Sequence, residues 1–132
     1  IVIIGFLIHN VDFARNRINE RYNLNTWIND NYRENLKSFE TITPYLRSIG
    51  IGAEDRIISL SDNSINISLY LMNQKGWTNY EIHSKPHRIE SKIKLGAKFL
   101  LIYDKKSLTQ TELQPFLGNK IGAFEAISIY KL

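Results

Sequence analysis

Apolar and polar positions divide the chain into short segments, each with its own period. The first eight residues, Ile1 to Ile8, are apolar throughout, and the pattern breaks at His9-Asn10. Eight residues fall far short of the roughly twenty that cross a bilayer. The run therefore predicts either a buried β-strand or the stub of a preceding membrane helix. With Ile1 in place of Met, a processed form or an excised fragment is expected. From Asp12 to Tyr22, apolar residues return at helical intervals among charges. An Asn-rich stretch, Asn23 to Asp30, reads as a connection. Tyr32, Leu36 and Phe39 recur at i, i+4, i+7, and Ile42, Leu46 and Ile49 extend the stripe. That spacing predicts an amphipathic helix, kinked or divided where Thr43 caps and Pro44 starts a new first turn, and ending at Gly50.

Beyond Gly50 the pattern alternates between strand and helix. Arg56 to Leu60 is short, apolar and β-branched, a predicted strand. Ser61 to Ser64 supply a turn and an N-cap for a helix over Ile65 to Gln74, with Lys75-Gly76 after it. Tyr80 and Ile82 alternate in a second short strand, and Pro86 opens a helix with Ile89 and Ile93 inward, closed by Gly96. Ala97 to Tyr103 is almost continuously apolar, as in strands covered on both faces of a parallel sheet. Ser107 or Thr109 caps a helix carrying Leu113, Phe116 and Leu117, and Ala123 to Leu132 forms a last strand. This order predicts one α/β domain over residues 1–132, a Rossmann-like three-layer sandwich with a mostly parallel sheet.

Composition narrows the function classes. The 132 residues suit a single core, and 43% hydrophobic with 23% charged residues is a globular balance. The net charge of +4 is spread, with Arg15, Arg17, Arg21, Arg33 and Lys37 interspersed among Glu20, Asp30 and Glu34. No basic stripe with projecting aromatics forms, so nucleic acid is not an expected partner. Without cysteine there are neither disulfides nor thiolate zinc sites. His83 and His87 are separated by Pro86 and share no helical face, so no metal site is expected.

The crevice beyond the carboxyl ends of the strands is the natural ligand site of such a sheet. It selects Asp62, Asn63 and Ser64 after the first clear strand and Asp104 after the central one. Turn and capping roles account for the same residues equally well. The dinucleotide glycine fingerprint is missing, since Gly50-Ile51-Gly52 precedes its strand, and there is no P-loop, so no cofactor is expected. No Gly-x-Ser-x-Gly elbow and no acid/base pair emerges from spacing, so no catalytic residue is assigned. Trp77 and Tyr80, after Lys75-Gly76, offer flat faces for a sugar ring, with core packing as the alternative use of Trp77.

Several phrases carry a family likeness: Thr43 to Ile51 (TPYLRSIGI), Asp55 to Asp62 (DRIISLSD), Leu69 to Trp77 (LYLMNQKGW) and Gly96 to Ile102 (GAKFLLI). Together they resemble the C-terminal soluble domain of bacterial membrane glycosyltransferases related to dolichyl-phosphate-mannose protein mannosyltransferases. The resemblance covers most of residues 41–132. It implies a domain on the periplasmic side of the inner membrane, attached through residues 1–8 to the membrane-embedded part of the same polypeptide. The resemblance places the catalytic acidic residue of such enzymes in a loop between membrane helices, which this chain lacks. A non-catalytic role therefore follows, in binding or positioning an acceptor glycan or a polyprenyl-phosphate sugar. Within the likeness, Tyr70, Asn73, Lys75 and Trp77 join Asp62, Asn63, Ser64 and Asp104 as candidate binding residues. A free-standing Rossmann-like enzyme or small-molecule binder, and a pure protein-interaction domain, stand as the alternatives.

Overall fold

The computed structural model describes residues 2–22 and 36–132. The chain divides into two compact units, Ile1–Glu34 and Asn35–Leu132. In the first, α1 runs from Val2 to Tyr22, so residues 2–8, open between strand and helix on sequence grounds, are helical. Among the described residues no helix is long and apolar enough to cross a membrane. The expected connection at Asn23 to Asp30, and Tyr32 of the predicted stripe, lie outside the described residues.

The second unit is a mixed α/β fold around a five-stranded sheet of order β2-β1-β3-β5-β4. Its strands are β1 (Arg56–Ser59), β2 (Lys75–Thr78), β3 (Ala97–Ile102), β4 (Lys120–Phe124) and β5 (Ile127–Lys131). The helices are α2 (Thr43–Ser48), α3 (Ile67–Leu71), α4 (Asn79–Ile82), α5 (Pro86–Lys94) and α6 (Lys105–Leu108), with 3₁₀ turns at Lys37–Glu40 and Thr111–Phe116. β1 lies parallel to β2 and β3, whereas β5 pairs antiparallel with both β3 and β4.

The period-two alternation of the strands sorts the core onto the two faces of the sheet. Ile57, Leu101, Ile127 and Ile129 join Phe39, Ile42, Leu46, Leu69 and Met72 in one buried cluster. Ile58, Leu60, Leu100, Ile102 and Tyr130 turn the other way and pack with Ile82, Ile89 and Leu113. The inner run AKFLLI is thus apolar at nearly every position because both of its faces are covered.

Four expectations need correction. The sheet is mixed, because the stretch expected as one last strand from Ala123 is a hairpin. Phe124 pairs with Ile127, and Glu125 turns the chain at φ 50°. Two strands joined this closely can only run antiparallel. The second strand is Lys75–Thr78, and the Tyr80/Ile82 alternation falls instead on α4, where Ile82 is buried and Tyr80 exposed. In α2 the N-cap position is Ile42, with Thr43 and Pro44 already inside the first turn. Thr43 is free of capping there, and its hydroxyl donates to the Met72 carbonyl at 3.0 Å, tying α2 to the end of α3. The helix expected to begin at Ser107 or Thr109 is two short pieces, and Asp104 caps the first of them.

Candidate functional site

At the carboxyl ends of β1 and β3 the polar residues are held by one another. Ser61 Oγ accepts from the backbone N–H groups of Tyr103 (2.6 Å) and Asp104 (3.2 Å), bridging the two strand ends. Asp62 is 2% exposed, and its carboxylate accepts from the N–H groups of Ser64 and Ser68, both at 2.7 Å. The Asp62 carbonyl accepts from Asn79 N at 2.8 Å, which fixes the entry to α4. Asn63 Oδ1 accepts from the Asn79 amide at 2.8 Å, and Ser64 Oγ from Ile67 N at 2.9 Å. Asp104 accepts from Ser107 N at 2.7 Å and from the Ser107 hydroxyl. Short polar residues at these positions satisfy the donors that a helix start leaves open. The crevice residues selected from the sequence are therefore engaged in capping and turn bonds.

Trp77 lies in register with Ile58 and packs against the second cluster. The Arg56 guanidinium stands 6.0 Å and the Lys92 ammonium 5.1 Å from its ring centroid, and Lys92 also pairs with Glu81 at 2.7 Å. The partly buried indole is thus flanked by two cations and by the core. Exposed Lys75 forms an ion pair with Glu54.

A groove of about 410 Å³ opens instead between α3 and edge strand β2, lined by Asn66, Leu69, Tyr70, Asn73, Gln74 and Gly76. Two of the predicted residues, Tyr70 and Asn73, meet here. Asp62, Asn63, Ser64, Lys75, Trp77 and Asp104 are not among the lining residues. Tyr70 is on α3, Asn66 is the N-cap residue before it, and Asn73 follows its C-cap residue Met72. Tyr70 is 81% exposed. Asn73 adopts φ 48°, a left-handed conformation that asparagine tolerates. The side-chain amides of Asn66 and Asn73, both exposed, make no hydrogen bond among the described residues. Every lining residue is uncharged at neutral pH.

The floor of the groove is rigid. Gln74 is buried; its Nε2 donates to the carbonyls of Gly52 (2.6 Å) and Asp55 (2.7 Å), and its Oε1 accepts from Arg47 at 2.9 Å. Arg47 also donates to the Ile51 and Asn73 carbonyls at 2.8 and 3.2 Å. Gly76 closes the wall at φ 148°, where a Cβ would fall on the Ile57 carbonyl. Asn66, Leu69, Gln74 and Gly76 are not among the residues expected from the sequence; the usable signal is an amide on each side of a short helical segment that carries an aromatic, Asn66 and Asn73 around Tyr70.

Below this floor, Asp55 accepts from Lys98 at 2.7 Å and from Gly52 N at 2.8 Å. The hydrogen bond from Lys98, then that from Gly52 and the positive charges of Lys98 and Arg47, hold the Asp55 carboxyl below the usual carboxylate range. A folded-state value below the unfolded one adds stability above about pH 4 that is lost as pH falls through the folded value. Asp55→Asn should thus lower stability at pH 7 by about 0.5–1 kcal/mol, as for a partly exposed pair. The difference should shrink toward zero as denaturant melts are taken to lower pH.

Among the described residues no His, Cys, Asp or Glu side chains group closely enough to hold a metal ion. The chain matches no protein-family model, no curated protein and no solved structure.

Proposed function

We propose that this chain is the non-catalytic soluble domain of a bacterial membrane glycosyltransferase of the kind it resembles, held on the periplasmic side of the inner membrane. In this reading the groove at Tyr70 binds the neutral sugar of an acceptor glycan and positions it for the membrane-embedded part of the polypeptide. One observation carries the reading: an exposed phenol ring on α3 with one unbonded amide just before that helix and one just after it, in a groove without charge. Flat rings with a polar edge stack well against pyranose faces, and each amide offers both donors and an acceptor to sugar hydroxyls. The groove is large enough for one or two sugar rings.

A polyprenyl-phosphate headgroup fits the lining less well. The nearest cations are committed, Arg47 to carbonyls and Gln74, and Lys75 to Glu54. Asp62 and Asp104 act as caps, which leaves acid/base chemistry to the membrane part. The two covered sheet faces support a Rossmann-like three-layer sandwich as the rigid scaffold behind the groove.

Calorimetric titration with α-mannobiose is the test. We expect weak binding, with Kd on the order of 1 mM, that Tyr70→Ala weakens at least tenfold. Because Tyr70 is 81% exposed, the variant should melt at the wild-type temperature. Equal affinity in wild type and variant, or no heat at saturating sugar, would overturn the assignment.

A further inference from the structure

The unit that contains α1 carries a second feature, independent of the groove. Ile4, Phe6, Leu7, Ile8 and Val11 are each between 56% and 67% exposed. At 100° per residue they spread around more than half of the helix. A helix that faces a protein core shows a narrower stripe, roughly 100° wide. A surface apolar over this much of its circumference suits a fluid apolar medium better than one docking face. Ionised side chains begin only afterwards, with Asp12, Arg15 and Arg17, all exposed. The polarity thus changes along the helix axis as well as around it.

We propose that the apolar turns of α1 insert into one leaflet of an anionic bilayer, with Arg15 and Arg17 at the level of the headgroup phosphates. From Ile4 to Val11 the helix rises about 10 Å, within the depth of a single hydrocarbon leaflet of roughly 15 Å. From Val11 to Arg15 it rises about 6 Å more, which brings the guanidinium groups to the interface. There two arginines outweigh one carboxylate, and anionic lipid adds attraction to the apolar insertion.

The test is flotation of the full 132-residue chain with vesicles of equal parts phosphatidylcholine and phosphatidylglycerol. The wild type should float with the vesicles and bind pure phosphatidylcholine at least fivefold more weakly. Phe6→Asp should bind at least a hundredfold more weakly, since a carboxylate resists entry into hydrocarbon. Arg15→Gln with Arg17→Gln should keep the binding to neutral vesicles and lose the preference for anionic ones. Residues 35–132 form their own compact unit, so their melting should be unchanged in every variant and reports that each is folded. Three results would overturn the proposal: wild type that stays below the gradient, F6D that floats like wild type, or F6D that only dissolves a dimer in vesicle-free solution. Sugar binding at Tyr70 can fail with flotation intact, or the reverse, so the two readings are separable.

Discussion

Replacing Gly76 with alanine, and more severely with valine, should destabilise the second unit by about 3 kcal/mol or more, enough to leave much of a marginally stable domain unfolded. Gly76 sits at φ 148° in β2, opposite Ile57 of β1, and any Cβ there would land on the Ile57 carbonyl. The obstacle is backbone, which cannot swing aside as a side chain can. β2 must withdraw from β1, giving up the parallel pairing from Arg56/Lys75 to Ser59/Thr78. The same withdrawal opens the groove wall, so any residual folded protein should also lose sugar binding. Urea titration of wild type, G76A and G76V measures the effect. A midpoint for G76A within error of wild type would show that the approach of β2 to β1 is less close than described.

The second large effect is expected at Asp62. Its carboxylate is buried and is the acceptor for the Ser64 and Ser68 N–H groups. Asp62→Ala leaves both donors without their partner at the start of α3. Each lost bond of this kind costs about 1–2 kcal/mol when the donor stays buried. The sum, about 2–4 kcal/mol, should lower the melting temperature by about 10–20 °C in a unit of this size. Asp62→Asn keeps one acceptor oxygen and should fall between the two. This prediction separates the capping role from a binding or catalytic one. A ligand-binding aspartate could be removed with little loss of stability, so D62A melting like wild type would return Asp62 to the candidate functional residues.

The elements that could be read from the sequence share a cause. AKFLLI and RIIS announced inner strands because both faces are covered, and a run of β-branched and apolar residues has few other uses. Gly96 marked the end of α5 because φ 94° is open to glycine at low cost. What stayed illegible depends on contacts between distant residues. The alternation of Tyr80 and Ile82 is compatible with one turn of helix, and contacts with distant residues, such as the bonds from Asn79 to the Asp62 carbonyl and to Asn63 Oδ1, set that turn in place. The hairpin at Glu125 carries no Asn-Gly or Asp-Gly signal, so one long strand was the simpler expectation. At the site, Asp62 and Asp104 drew attention because acidic residues after strands serve both catalysis and capping, and spacing cannot separate the two. Tyr70 and Asn73 were found through phrase-level likeness. Asn66 and Gln74 were missed because their importance lies in which backbone groups they meet or leave unmet.

On the function proposed above, a neutral sugar binds in the Tyr70 groove and not at the crest of the sheet. Amide chemical-shift mapping during titration with α-mannobiose tests this most directly. Saturable shifts confined to Asn66 through Gly76, and absent in Tyr70→Ala, are expected. Shifts centred on Ser61 to Ser64 and Tyr103 to Lys106, or none at all, would contradict it.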